Sequence, residues 1–223
     1  MTTVIVHGAG SNGAAAARLL GAGTGAVLVE DRSGEIECVI DVLRSTLAEL
    51  DDCTRIIGVS LGAHAVARWA SAERIPVPPL VCVLPAWTGN PGPTAEITAA
   101  SARAVSEVGI TTLLERLATE ERHPDVVGLL ECAWADYSDA ELALCLERAS
   151  TGRAPTTEEL AAIPGHVTVI GWCGDAFHPD DVARTWARHL RRSTIAMAAR
   201  PEIRLMRAAL ATCAVARPAP RVR

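Results

Sequence analysis

The segment Gly58-Val59-Ser60-Leu61-Gly62 carries the most chemistry in the chain. It fits G-x-S-x-G, with the apolar run RIIGV leading into the serine and the alanine-rich run LGAHAVARWA following it. A strand, a sharp turn and a helix are predicted in that order. The turn lifts the Ser60 hydroxyl above the carboxyl edge of a sheet. The helix start behind it supplies positive potential and a free N–H. Small residues two before and two after the serine follow from this geometry, because strand and helix must approach closely, and the turn itself is strained. This spacing suits nucleophilic acyl transfer through a serine ester. The bland alternative is a glycine-tolerant strand-to-helix turn.

A second pattern competes. Gly8, Gly10 and Gly13 spell G-x-G-x-x-G directly after an apolar run, and Glu30 and Asp31 close the next one. The acidic pair lies roughly 20 residues on, where a dinucleotide site wants a carboxylate for the ribose. A Rossmann protein binding a nicotinamide or flavin dinucleotide is therefore the rival reading. It leaves GVSLGAH and the later GDAFHP without a role.

The elements that must position these residues alternate. Strands are predicted over 4–6, 26–30, 55–59, 80–84, 166–172 and 194–199, as short, nearly continuous apolar runs. Helical periodicity covers 13–20, 35–50, 61–72 and 180–191, with a terminal helix from about Pro201. Buried strands alternating with helices imply an α/β fold with a parallel sheet covered on both faces. The rhythm breaks after Trp87, where TGNPGPT leads into helix-like runs without a strand. Residues 89–164 are expected to form a helical cap insertion over the carboxyl edge, within one domain spanning 1–223. Thr156 or Thr157 is the expected cap of its last helix, with Glu158 and Glu159 in the first turn.

Three segments together resemble the α/β-hydrolase superfamily: HGAG after the first strand, GVSLGAH at the turn, and GWCGDAFHP after the fifth strand. The resemblance runs over nearly the whole chain. It implies the α/β-hydrolase fold in a minimal form, a mostly parallel sheet of about six strands with the first two strands of the full fold absent. It implies an oxyanion hole made by the Leu61 N–H and one N–H of the HGAG loop, at Ala9. Such donors lower the barrier by about 3 kcal/mol each. His7 carries the HG signature and is expected to brace that loop. The acid of the family follows the fifth strand, which points to Asp175.

The base of the family follows the last strand, and here the chain departs from the pattern. No histidine occurs after His189, and the stretch beyond the last strand reads ARPEIRLMRAAL. His178 is the substitute, a neutral imidazole near Asp175 at the sheet edge and a natural general base near pH 7. Its alternative is capping the next helix or lining the pocket. His64 reads as packing, and His123, His166 and His189 as surface or strand-start residues. Trp87, Trp134 and Trp172, with His7, are candidate walls of a pocket for an aromatic or otherwise apolar acyl group. Core packing is the equal alternative for each tryptophan.

Composition narrows the classes. The 223 residues carry a net charge of −5, and every basic residue is Arg, which reads as codon bias. No basic face for nucleic acid is expected, and no apolar run is long enough to span a bilayer. The chain starts directly in a strand, so no leader is expected. Seven cysteines, an odd number without C-x-x-C spacing, suggest a reducing, cytoplasmic setting with no disulfide framework and no zinc or other metal site. No cofactor is implied. Arginines gather toward the end of the chain, from Arg191 to Arg223. They are either a solvated face or a docking surface for an acidic acyl carrier protein. The expected activity is serine-dependent acyl transfer. Water as acceptor makes an esterase or thioesterase, and another nucleophile makes an acyltransferase. One such reaction would move an aromatic acyl group from a carrier thioester in natural-product assembly. A non-catalytic binding protein on the same scaffold stays open because the late histidine is missing.

Overall fold

The apolar runs pair edge to edge. The computed structural model describes residues 2–22, 25–73, 76–120 and 124–199. Within these, the strands are β1 (Thr2–Val6), β2 (Ala26–Val29), β3 (Cys53–Val59), β4 (Leu80–Val83), β5 (Val167–Cys173) and β6 (Ser193–Ala199). They form one sheet in the order β2-β1-β3-β4-β5-β6, and every pairing is parallel. The order reverses between β1 and β3. The loops leaving those two strands therefore diverge, and a crevice opens at their carboxyl ends.

The sheet is covered by α1 (Gly13–Leu20), α2 (Ile36–Ala48), α3 (Leu61–Ala72), α7 (Thr157–Ala162) and α8 (Asp180–His189). Strand side chains alternate between two cores. Val4, Val6, Ile56, Leu80, Cys82, Val167 and Val169 pack with α2, α3, α7 and α8. Ile5, Ile57, Val59, Val81, Val83, Ile170 and Trp172 pack with Ala16, Leu19 and Leu20 of α1. Strands β1, β3, β4 and β5 are buried on both faces, which is why they read as unbroken apolar runs rather than as alternation, while Leu28 of edge strand β2 and Ile195 of edge strand β6 are exposed. The predicted terminal helix, Cys213 and His123 lie outside the described residues.

Between β4 and β5 the chain builds α4 (Pro93–Glu120), α5 (Pro124–Trp134) and α6 (Asp139–Thr151). These pack on one another, and α5 packs on α1. Their shared core holds Val105, Trp134, Tyr137, Leu142 and Leu146, and it reaches Ala9 in the loop after β1. Helix α4 breaks at Gly109 (φ 76°), where Asp139 accepts the Ile110 N–H at 2.8 Å. Helix α7 packs on α3, and its Leu160, with Ile163 just after it, is buried in the main core. It therefore belongs to the layer on the sheet. Thr156 is its cap, in a reciprocal box with Glu159. No described helix is long and apolar enough to cross a membrane.

Backbone segments approach one another closely around the turn after β3. A Cβ on Gly62 would collide with the carbonyl oxygens of Val6 and His7, and one on Gly58 with the carbonyl of Gly62. Backbone atoms cannot rotate out of the way. Gly62→Ala is expected to lower the stability from urea unfolding by about 3 kcal/mol. Gly92→Ala, at a position with nothing within 4 Å, should change it by less than about 0.5 kcal/mol.

Candidate active site

The turn after β3 places Ser60 at φ 52°, ψ −115°, a conformation that costs a non-glycine residue on the order of 1–3 kcal/mol. The surroundings hold it there. Its N–H donates to Val83 O at 2.8 Å, and its carbonyl accepts from the N–H groups of Ala63 (2.9 Å) and His64 (3.2 Å). The Ser60 side chain does not cap α3. Leu61 opens α3, so its N–H belongs to the first turn, whose donors have no carbonyl within their own helix. The loop after β1 passes alongside: a Cβ on Gly8 would lie 3.0 Å from Ser60 Cβ.

A second loop delivers an imidazole. Strand β5 ends at Cys173, and Gly174 turns the chain with φ 76°. Asp175 is buried, at 6 % exposure, and its Oδ1 accepts the Phe177 N–H at 3.0 Å. That tight turn brings residue 178 back over residue 175, so His178 Nδ1 meets Asp175 Oδ2 at 3.1 Å. On its other side, His178 Nε2 lies 3.0 Å from Ser60 Oγ. A carboxylate only accepts, so the proton sits on Nδ1. The lone pair on Nε2 then faces the serine hydroxyl, which donates to it. Ser60, His178 and Asp175 thus form one connected line, although acid and base share a loop.

The loop after β1, residues 7–12, is fixed from two sides. His7 is buried. Its Nδ1 donates to Gly8 O at 2.8 Å, while Nε2 accepts the Asp31 N–H at 3.3 Å and lies 3.4 Å from Glu30 Oε2. Glu30 also accepts the Gly13 N–H at 2.8 Å. The neighbouring His7 ring, and then the Gly13 N–H, hold the Glu30 carboxyl below its usual range against the opposing effect of partial burial. From the cap, Trp134 Nε1 donates to Gly10 O (2.9 Å) and Tyr137 Oη to Ser11 O (3.0 Å). Asn12 caps α1 through Ala15 N–H and donates to Cys132 O at 2.9 Å. Sequence reasoning missed Asn12 and Tyr137, and it singled out Glu30 for a different role. An Asn just before a helix is a legible cap, but its second bond, to a carbonyl 120 positions away, has no local signal.

These contacts overturn the dinucleotide reading. At the start of α1 the Ala15 N–H is taken by Asn12 and the Gly13 N–H by Glu30, the residue that reading reserves for a ribose. Leu142 and Leu146 of α6 roof Gly10, each 3.0 Å from where its Cβ would be. A pyrophosphate would meet two first-turn N–H groups already engaged and leucine side chains over Gly10.

All three tryptophans are buried in packed clusters. Trp87 donates its indole N–H to Gly152 O at 3.1 Å, and Trp134 is tied to Gly10. Trp172 packs among Val59, Leu84 and Ile170 in the α1-side core, its Nε1 buried without a partner. His64 is fully buried. Its Nε2 accepts the Ala86 N–H at 3.0 Å, and burial, then the nearby His178, push its pKa down to about 3. His166, just before β5, meets Thr194 Oγ1 at 3.0 Å, and His189 ends α8.

No protein-family model matches the chain, and no curated protein sequence does. Solved structures share its architecture at low identity. The Rv0554 protein of Mycobacterium tuberculosis aligns with a TM-score of 0.69 and 20 % identity over 98 % of this chain and 91 % of that one. The enol-lactonase of Burkholderia xenovorans LB400 gives 0.69 and 17 % over 96 % and 89 %. A thermophilic esterase of Thermogutta terrifontis gives 0.68 and 17 % over 96 % and 88 %. The chain has the α/β-hydrolase fold.

The buried His64 sets an acid limit on stability. An unfolded histidine takes up its proton near pH 6.5, whereas the folded chain resists protonation of His64 until about pH 3. The unfolded state thus binds more protons across that window. The stability is intact above pH 6.5 and drains away as the pH falls toward 3. Between pH 7 and pH 4, urea unfolding of His64→Gln should lose less stability than wild type, by on the order of 3 kcal/mol.

Proposed function

We propose that the protein is a serine-dependent acyl-transfer enzyme that cleaves an ester or thioester through an ester of Ser60. The observation that carries this reading is the unbroken line Ser60 Oγ to His178 Nε2 to Asp175 Oδ2, at 3.0 and 3.1 Å. The named esterase and enol-lactonase of like fold are in keeping with it.

In the first half-reaction His178 Nε2 removes the hydroxyl proton while Oγ bonds to the substrate carbonyl carbon. Asp175 holds the ring in the Nδ1–H tautomer and stabilises the imidazolium. The carbonyl oxygen, now anionic, is held by the Leu61 N–H and by Ala9 in the loop beside Gly8. His178 then protonates the departing alkoxide or thiolate as its bond to the carbonyl carbon breaks. In the second half-reaction an acceptor, with water first in line, gives its proton to Nε2, attacks the ester carbonyl and releases Ser60 with its proton restored. His178 supplies the base from the β5 loop, so the missing late histidine is no obstacle. Free thiols at all six described cysteines support work in a reducing compartment such as the cytoplasm.

A fluorophosphonate probe should label wild type at Ser60 and leave Ser60→Ala unmodified by intact mass. With p-nitrophenyl acetate, His178→Ala and Asp175→Asn should each lose about 10²–10⁴-fold in kcat/KM. Wild type that neither labels nor turns over the ester would sink the proposal.

A further inference from the structure

Among the described residues, two non-glycine positions take a positive φ, Ser60 at 52° and Leu84 at 55°. They are neighbours, since Ser60 N–H donates to the carbonyl of Val83. Leu84 leaves β4 with its own N–H on Ile170 O at 2.7 Å. The chain then runs through Pro85, which has no N–H, to Ala86, whose N–H needs an acceptor inside a buried segment. That acceptor is a side chain: His64 Nε2 at 3.0 Å.

His64 sits on α3 one turn beyond the serine, with its own N–H on Ser60 O. Its ring meets Trp87 edge-on at 4.9 Å and lies tilted against Trp186 at 5.6 Å. Trp186 belongs to α8 and donates its indole N–H to Trp87 O at 3.2 Å. Helix α8 begins at Asp180, directly after His178 and Pro179. One imidazole therefore joins the helix behind the nucleophile, the segment leaving β4, and the helix behind the base. Because Nε2 accepts, Nδ1 carries the proton, and that proton finds no acceptor in the core.

We infer that His64 is a positioning residue: by accepting the Ala86 N–H it locks the end of β4 to the nucleophile helix and, through Trp87 and Trp186, sets the separation of Ser60 and His178. It touches no reacting atom. The inference rests on the reading of Ser60 and His178 as nucleophile and base.

Glutamine places an amide end where the histidine has Nε2, while asparagine reaches only to the place of Nδ1. The pair keeps a polar side chain and isolates the one bond. With p-nitrophenyl acetate, His64→Gln should stay within about threefold of wild type in kcat, and His64→Asn should lose about 10–100-fold at unchanged KM, the scale of a small misplacement of reacting groups. In ¹⁵N spectra, the His178 ring resonances should shift in His64→Asn and hold in His64→Gln. A wild type inert toward the ester would remove the hydrolase reading, while the His178 resonances would still decide the positioning. Wild-type kcat and His178 resonances in His64→Asn would overturn the inference. So would equal impairment of a His64→Gln that melts like wild type. Should His64→Asn fail to fold, His64→Gln decides alone by keeping or losing activity.

Discussion

The site depends on how closely helix α3 can press against the ends of β1 and β3. Gly58 and Gly62 allow that approach, because any side chain at either would meet backbone carbonyls. The approach forces Ser60 into a left-handed conformation that it would not adopt alone. Neighbours on β4 and in the first turn of α3 absorb the strain by taking both backbone groups of the serine. With its backbone engaged and its side chain free of the helix, the hydroxyl meets His178 Nε2 at 3.0 Å.

The proton-handling half answers a different constraint. Asp175 must be desolvated enough to hold an imidazole firmly, yet it must not be stranded as a buried charge. The Phe177 N–H and His178 Nδ1 supply two of its polar partners within three residues of chain. Placing Asp175 and His178 in one turn needs no long-range alignment between two loops. Only the distance from this turn to α3 must be controlled from outside, and that distance runs through the buried contacts of α8.

Much of this was legible because it is local. The elbow shows as two glycines two residues either side of a serine, between a strand pattern and a helix pattern. The four inner strands show as apolar runs, since both of their faces are buried. What was not legible is what arrives from far along the chain. Trp134 and Tyr137 act on carbonyls more than 120 positions away, and nothing in their surroundings announces it. The three tryptophans fall at ends of strands or in the cap, where sequence cannot separate a pocket wall from a packed core. The burial of helix α7 was not legible either, because it is set by α3, which it meets only in three dimensions. The glycine pattern after β1 misled for a similar reason. Its spacing serves Ser60 and the leucines of α6 rather than a phosphate.

The bonds from α5 and its following turn to the backbone of residues 10–12 have a mechanical consequence. The cap is tied to that loop at the residues directly after Ala9, the proposed oxyanion donor. A displacement of α5 would pull Gly10 and Ser11 by their carbonyls, so in the proposed reaction the stretch that carries the donor would be strained along with the cap.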